Sequence, residues 1–229
     1  MTKHKPVETF KLHGALIDPR GLSVFLDFDG TITSADTGLY VLERHGADGW
    51  REIDAAYVRG EIASRECLID EWDLLPNDEV LLIETASEVP LDPGFEPLVE
   101  ALRGSGAEVT VVSDGFGLTV HEVCAAIDLP VIANRVDWAT GRLEFPFEDR
   151  CCACSSCGTC KQAPVKAASQ AGRTTVLVGD GASDRKAALL ADVVFAKDGL
   201  ARWCAANNVA FIPFENLNDV HHALLGVQG

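Results

Sequence analysis

Nowhere does this sequence offer the roughly 20 consecutive apolar residues that a membrane-spanning helix needs, although 47% of its 229 residues are hydrophobic. Positive charge is also scarce. Nineteen Lys and Arg stand against 35 Asp and Glu, a formal charge of −16. Such a surface repels nucleic-acid backbones and anionic membranes, so neither is expected as a partner. An anionic substrate would need cations placed locally. The opening stretch, MTKHKPVETFKLHG, has no apolar segment of the kind that directs secretion. A cytoplasmic protein is therefore expected, and there the eight cysteines need an explanation other than a disulfide framework. Internal repeats and low-complexity linkers are missing too, which leaves one large domain or a domain with a small insertion.

What is present is a repeated pattern. Short apolar runs at 24–26, 108–113 and 174–179 each lead into an Asp or Ser near a Gly, and 192–196 and 209–212 read as two further strands. Helical stretches fall at 94–104, 118–127, 162–171, 183–190, 200–207 and 218–225. This alternation predicts an α/β fold, a doubly wound parallel sheet with helices on both faces. Residues 36–90 break the rhythm and read as helices throughout, including 62–75 and 78–88. The expected organisation is an N-terminal extension over 1–20, a core over 21–35 and 91–229, and a helical cap over 36–90. Trp50, Trp72 and the cap leucines are expected in the cap's own core. Residues 131–145 hold Thr140-Gly141 between two β-prone runs, predicting a hairpin.

The chemistry gathers where strands end. Asp27-Phe28-Asp29-Gly30-Thr31-Ile32-Thr33 follows the first buried strand, and ligands of open α/β sheets bind beyond such carboxyl ends. Two carboxylates one residue apart point the same way from an extended chain. One can attack phosphorus while the other serves as general acid and base. Gly30 permits a tight turn that brings backbone N–H groups toward phosphate oxygens, with Thr31 beside them. Gly179-Asp180-Gly181-Ala182-Ser183-Asp184 follows another strand. There Asp180, and Asp184 four residues on, can supply hard oxygen ligands to Mg²⁺. Ser113 ends a third strand, where its hydroxyl can donate to a phosphate oxygen and Asp114-Gly115 allows close approach. A phosphoryl site also needs a cation, and Lys161 and Lys166 are the candidates.

Together Asp27/Asp29, Ser113, Lys161 and Asp180/Asp184 resemble, in that order, the four motifs of the haloacid dehalogenase superfamily. The likeness runs from about residue 22 onward. The second Asp of the first motif implies a phosphatase or phosphotransferase, and the helical insert resembles a type 1 cap of the phosphoserine-phosphatase-like enzymes. Cys157-Gly158-Thr159-Cys160-Lys161, then residues 191–198, Cys204 and Ile212-Pro213-Phe214 are similar to the methionine-salvage phosphatases. Those act on 2-hydroxy-3-keto-5-methylthiopentenyl-1-phosphate. Phosphoethanolamine and phosphocholine phosphatases share the layout. That likeness selects Lys161 over Lys166.

What the resemblance implies is Mg²⁺-dependent hydrolysis of a small phosphorylated metabolite through an aspartyl-phosphate on Asp27. Asp29 would be the acid and base, and Ser113 and Lys161 would sit on the phosphate oxygens. Asp27, the Asp29 carbonyl, Asp180 and Asp184 would surround the metal. Gly30, Thr31, Asp36, Asp114 and Gly115 complete the expected substrate contacts. Asp36 is also a natural helix N-cap. The sequence has Ser113-Asp114-Gly115 where the methionine-salvage enzymes typically have Ser-Gly-Gly. Alternatives are a phosphoethanolamine/phosphocholine- or phosphoserine-type phosphatase, transfer to an alcohol, and a non-catalytic metal-binding protein on the same scaffold. Cys151, Cys154, Cys157 and Cys160, each three residues apart, have the C-x₂-C spacing that suits a structural Zn²⁺.

Overall fold

The computed structural model describes residues 10–12, 15–147 and 156–226. Two short strands, β1 (Phe10–Leu12) and β2 (Ala15–Ile17), pair antiparallel in a stretch where the sequence had suggested nothing. The main sheet has six parallel strands. They are β3 (Leu22–Leu26), β4 (Glu108–Ser113), β5 (Val131–Ala133), β8 (Thr174–Gly179), β9 (Val193–Ala196) and β10 (Ile212–Pro213), in the order β10-β9-β8-β3-β4-β5. The expected doubly wound architecture is what forms.

Period-two side-chain alternation builds two cores, one on each face. Leu22, Val24 and Leu26 of β3, with Val109 and Val111 of β4, pack among Leu98 and Leu102 of α5 (Phe95–Ser105). Val120 and Cys124 of α6 (Val120–Ala126) and Leu217, Val220 and Leu224 of α10 (Leu217–Leu225) join them. Phe25, Val112 and Leu177 face the opposite way. They meet Val165 of α7 (Gln162–Gln170), Ala187 and Ala188 of α8 (Arg185–Ala188) and Leu200 and Cys204 of α9 (Asp198–Ala206). All five β3 residues are buried, as a central strand covered on both sides must be.

Between β3 and α5 come four helices: α1 (Thr37–His45), α2 (Trp50–Arg59), α3 (Ser64–Trp72) and α4 (Glu79–Ser87). The chain leaves and re-enters the sheet side by side. Thr33 bridges Leu91, Ser34 N donates to Pro90 O at 2.9 Å, and Asp92 N donates to Ile32 O at 2.7 Å. Trp50, Trp72, Val41, Leu42 and Leu82 form a third core, shared with Phe116 and Leu118 from the segment after β4. No described helix is long and apolar enough to cross a membrane.

The sequence reading of 131–145 as one hairpin needs correction. Val131–Ala133 is the edge strand β5, parallel to β4. Only β6 (Arg135–Asp137) and β7 (Arg142–Glu144) make the hairpin. It packs Val136, Trp138 and Leu143 on the helical insert, and Trp72 Nε1 donates to Gly141 O at 2.9 Å. The helix expected over 183–190 shrinks to Arg185–Ala188 because its beginning is bent around Asp184. The last strand is Ile212–Pro213 instead of 209–212.

Candidate active site

Strand register decides which side chains meet. Leu26 lies level with Val111 of β4 and Val178 of β8. Asp27, Ser113 and Asp180 therefore emerge within one or two residues of the same edge, at the point where connections leave in both directions. Asp27 continues the ladder by one bond, its N–H donating to Val178 O at 2.9 Å. The chain then turns through Gly30 at φ +76°, with Ile32 N and Thr33 N both donating to Phe28 O.

Asp27 is buried, and its two oxygens are unlike. Oδ1 accepts the Phe28 N–H at 2.7 Å and the Lys161 ammonium at 2.6 Å. Oδ2 has no partner among the described residues. Lys161, 4% exposed, also holds Asp184 Oδ1 at 2.8 Å, which leaves the third of its three N–H groups uncommitted. Burial opposes its charge, but Asp184 and Asp27 outweigh that and hold it above its ordinary value. Lys166, the other cation considered, is exposed on α7.

Asp184 is fully buried and accepts the N–H groups of Asp180 and Gly181 on Oδ2, each at 3.2 Å. Asp180 accepts from Thr31 Oγ1 at 2.8 Å, and burial followed by Asp184 pushes its carboxyl up to about 6. Asp27 is pushed up as well, by burial first and Asp184 second, against the pull of Lys161. Three carboxylates with oxygens within 4.8 Å of one another share one ammonium. That leaves uncompensated negative charge on hard oxygen donors, a set that fits Mg²⁺. The Asp29 carboxylate is outside this group. Its Oδ1 accepts the Thr37 N–H at 3.2 Å and the Thr37 hydroxyl, and its Oδ2 accepts Ser113 Oγ–H at 3.1 Å.

Four of these acids occupy spaces that glycines leave open. A Cβ at Gly30 would lie 2.5 Å from Asp180 Oδ2, and one at Gly158 would lie 2.7 Å from Asp114 Oδ1. At Gly115 it would strike Asp29 Oδ2, and at Gly179 it would strike Asp184 Oδ2.

Above the sheet edge lies a cleft open to solvent. Asp27, Asp29, Asp36, Asp114, Gly115 and Asp180 line it, whereas Thr31, Ser113, Lys161 and Asp184 lie beneath that surface as buried supports. Asp36 caps α1, accepting the Leu39 N–H at 2.9 Å. Its surroundings, then Asp29, push its carboxyl up to about 7, an effect that water weakens because the residue is exposed.

Asp114 is committed to protein. It accepts Ser64 Oγ–H from α3 at 2.6 Å, Thr159 N–H at 2.6 Å and Asn134 Nδ2–H at 3.4 Å. It thus ties the insert and the segment leading to Lys161 to the end of β4. Burial raises its carboxyl. Cys151 and Cys154 lie outside the described residues. Cys160 is a buried thiol and Cys157 a half-buried one.

The insert adds Asp54, Tyr57, Cys67, Leu68 and Glu71 to the cleft, none of which the sequence had marked as a site residue. One signal was available. Ser64, Cys67, Leu68 and Glu71 recur at helical spacing on one stripe of α3, with an acid on an otherwise inward face.

The haloacid dehalogenase-like hydrolase family model matches residues 24–189. A Bacillus cereus (strain G9842) protein named 2-hydroxy-3-keto-5-methylthiopentenyl-1-phosphate phosphatase is 29% identical over 215 residues, covering 89% of this chain and 95% of its own. A protein of the same name from Exiguobacterium sp. is 28% identical over 210 residues, 89% and 97% covered. Among solved structures, a phospho-aspartyl intermediate analogue of phosphoserine phosphatase superposes with TM-score 0.69 at 21% identity, covering 88% of this chain and 98% of that one. A hydrolase of the same superfamily from Salmonella enterica gives 0.70 at 15%, covering 91% and 72%. With the family model running from within β3 through the insert to the acidic loop after β8, this chain belongs to the haloacid dehalogenase-like hydrolases.

Proposed function

We propose that the chain is a phosphatase of small phosphorylated metabolites in which Asp27 is the nucleophile. The observation that carries this is the asymmetry of Asp27. Oδ1 is held by Lys161 and the Phe28 N–H, so Oδ2 is the atom left to attack phosphorus. The phosphorus–oxygen bond to the leaving alcohol breaks as the Asp27–phosphorus bond forms. Asp29, on the cleft wall, gives that alkoxide a proton and later takes one from the water that hydrolyses the aspartyl-phosphate. Ser113 and Thr37 fix its carboxylate for both tasks. Lys161 keeps one N–H for a phosphate oxygen. Magnesium held by Asp27, Asp180 and Asp184 would neutralise phosphate charge.

The insert serves as a cap that limits the site to small esters and keeps bulk water from the first step. The names of the relatives support 2-hydroxy-3-keto-5-methylthiopentenyl-1-phosphate as substrate. The cysteine spacing supports a separate structural Zn²⁺ at Cys151, Cys154, Cys157 and Cys160, which elemental analysis of purified protein would find at one equivalent. Phosphate release from a panel of phosphomonoesters with Mg²⁺, using Asp27→Asn as blank, tests the reaction. Release at the level of the blank for every ester would defeat it, and phosphate appearing instead on an added alcohol would make the enzyme a transferase.

A further inference from the structure

The chain after Lys161 is held by α7, whose Val165 is fully buried in the core. The chain before it has no such support. Residues 156–160 form neither helix nor strand, so no ladder of backbone bonds fixes them. What holds them comes from two sides. From the core, Asp114 Oδ1 accepts Thr159 N–H at 2.6 Å, and Asn134 Oδ1 accepts Thr159 Oγ–H at 2.9 Å. From the insert, Arg65 N–H donates to Ser156 O at 3.2 Å. The space between is tight. A Cβ on Gly158 would lie 2.7 Å from Asp114 Oδ1, 2.9 Å from Asn134 Nδ2 and 2.9 Å from Leu68 Cδ1 of α3.

Asp114 joins the two sides. Its Oδ2 accepts the hydroxyl of Ser64, the first residue of α3, at 2.6 Å. That helix is well anchored: at its other end Trp72 packs edge-on against Phe116, ring centroids 5.4 Å apart, and donates to Gly141 O. Without the Ser64 hydroxyl, Oδ2 has no partner among the described residues and the carboxylate can turn into the cleft it lines. Thr159, 1% exposed, would then lose its acceptor, and a buried N–H left unpaired is costly enough to move the segment. Lys161 lies two residues on, where its ammonium must meet Asp27 at 2.6 Å and Asp184 at 2.8 Å. Misplacing a group at a reacting centre by about 1 Å can cost on the order of 10²-fold in rate.

We infer that Ser64, acting through Asp114 and Thr159, is a positioning residue for Lys161, so that the insert helps to build the phosphate site as well as covering it. The effect on the reaction rests on the phosphatase reading, whereas the effect on Thr159 does not. A residue on the insert thereby sets the strength of a contact made entirely within the core.

Ser64→Ala should lower kcat/KM by about tenfold or more, the scale of one hydrogen bond to a charged group. Ser64→Thr, which keeps the hydroxyl, should restore it. Inhibition by inorganic phosphate with Mg²⁺ separates positioning from loss of a contact to the ester's alcohol, because phosphate carries no alcohol. Its Ki should rise by a similar factor in Ser64→Ala. Adding Ser64→Ala to Asp114→Ala should change nothing further, since the link is already cut. Amide hydrogen exchange of the unliganded full chain, read by NMR, tests the link without turnover. Thr159 should exchange about tenfold faster or more in Ser64→Ala, while the amides of β3 and β4 keep wild-type rates. Thr159 exchange or a phosphate Ki equal to wild type overturns the positioning role and leaves the phosphatase reading standing. If the wild type neither hydrolyses an ester nor binds phosphate, the phosphatase reading falls, and Thr159 exchange alone decides whether Ser64 holds the segment before Lys161.

Discussion

Replacing Lys161 by Met removes the one ammonium that stands between Asp27 Oδ1 at 2.6 Å and Asp184 Oδ1 at 2.8 Å. All three side chains are buried, so water cannot take over the role. Breaking a buried ion pair by removing one partner costs about 3–5 kcal/mol. For a chain of this size each kcal/mol is worth roughly 2–4 °C in Tm, so Tm should fall by roughly 6–20 °C. Calorimetry at pH 7 in EDTA would measure it, with the metal kept out so that it cannot replace the lost charge. The pH dependence has a definite sign. Asp27 is already raised by burial and Asp184, and loss of Lys161 raises it further above its unfolded value near 3.9. The folded variant then binds more protons than the unfolded chain between those two values. Its deficit is full above the folded value and shrinks as pH falls toward 4. A loss below about 1 kcal/mol at pH 7, or a gap that widens in acid, would refute the argument that Lys161 neutralises this cluster.

Asp27→Asn should abolish phosphate release while circular dichroism and Tm in EDTA show the fold intact; turnover retained in that variant would remove Asp27 as nucleophile. Glu71→Gln should stabilise the protein at pH 7 by up to about 3 kcal/mol, since a carboxyl raised to about 8 from 4.5 destabilises the fold increasingly as pH rises through that window. Urea titrations should show no gain near pH 4. Asp114→Ala should cost about 2–3 kcal/mol for its charge-assisted bonds to Ser64 and Thr159. It should also lower kcat, because the Thr159 segment leads into Lys161, and kcat equal to wild type would separate Asp114 from the reaction. EDTA should reduce activity to the level of the blank, and added Mg²⁺ should restore it.

The sheet was legible because strands buried on both faces announce themselves as apolar runs, and those at 24–26, 108–113 and 174–179 end on the residues that meet in space. Asp27, Asp29 and Asp180 could be read for the same reason. Val131–Ala133 was misplaced because three β-prone residues cannot say whether they will pair with the next run or with a strand twenty residues earlier. Asp114 could be marked from its place next to Ser113, but that place carries no information about Ser64 or Thr159, whose groups bond its oxygens after folding. Glu71 was passed over for a related reason, although its place on the α3 stripe was a signal. An acid in a helix reads as a solvated face until the neighbouring helices are seen to cover it.

The pairing of acids with glycines has a consequence for tolerance to mutation. Asp180, Asp29, Asp184 and Asp114 each fill a volume vacated by Gly30, Gly115, Gly179 and Gly158 respectively, and each glycine sits on a different segment from the edge its acid serves or faces it across a turn. The smallest possible side chain at any of the four displaces a carboxylate. A library randomised over this protein should therefore find these glycine positions as intolerant as the acids themselves, and alanine, usually the mildest replacement, should be no exception. Part of what holds the charges in place is the room these glycines leave for them, and a screen that scores only functional groups would pass over it.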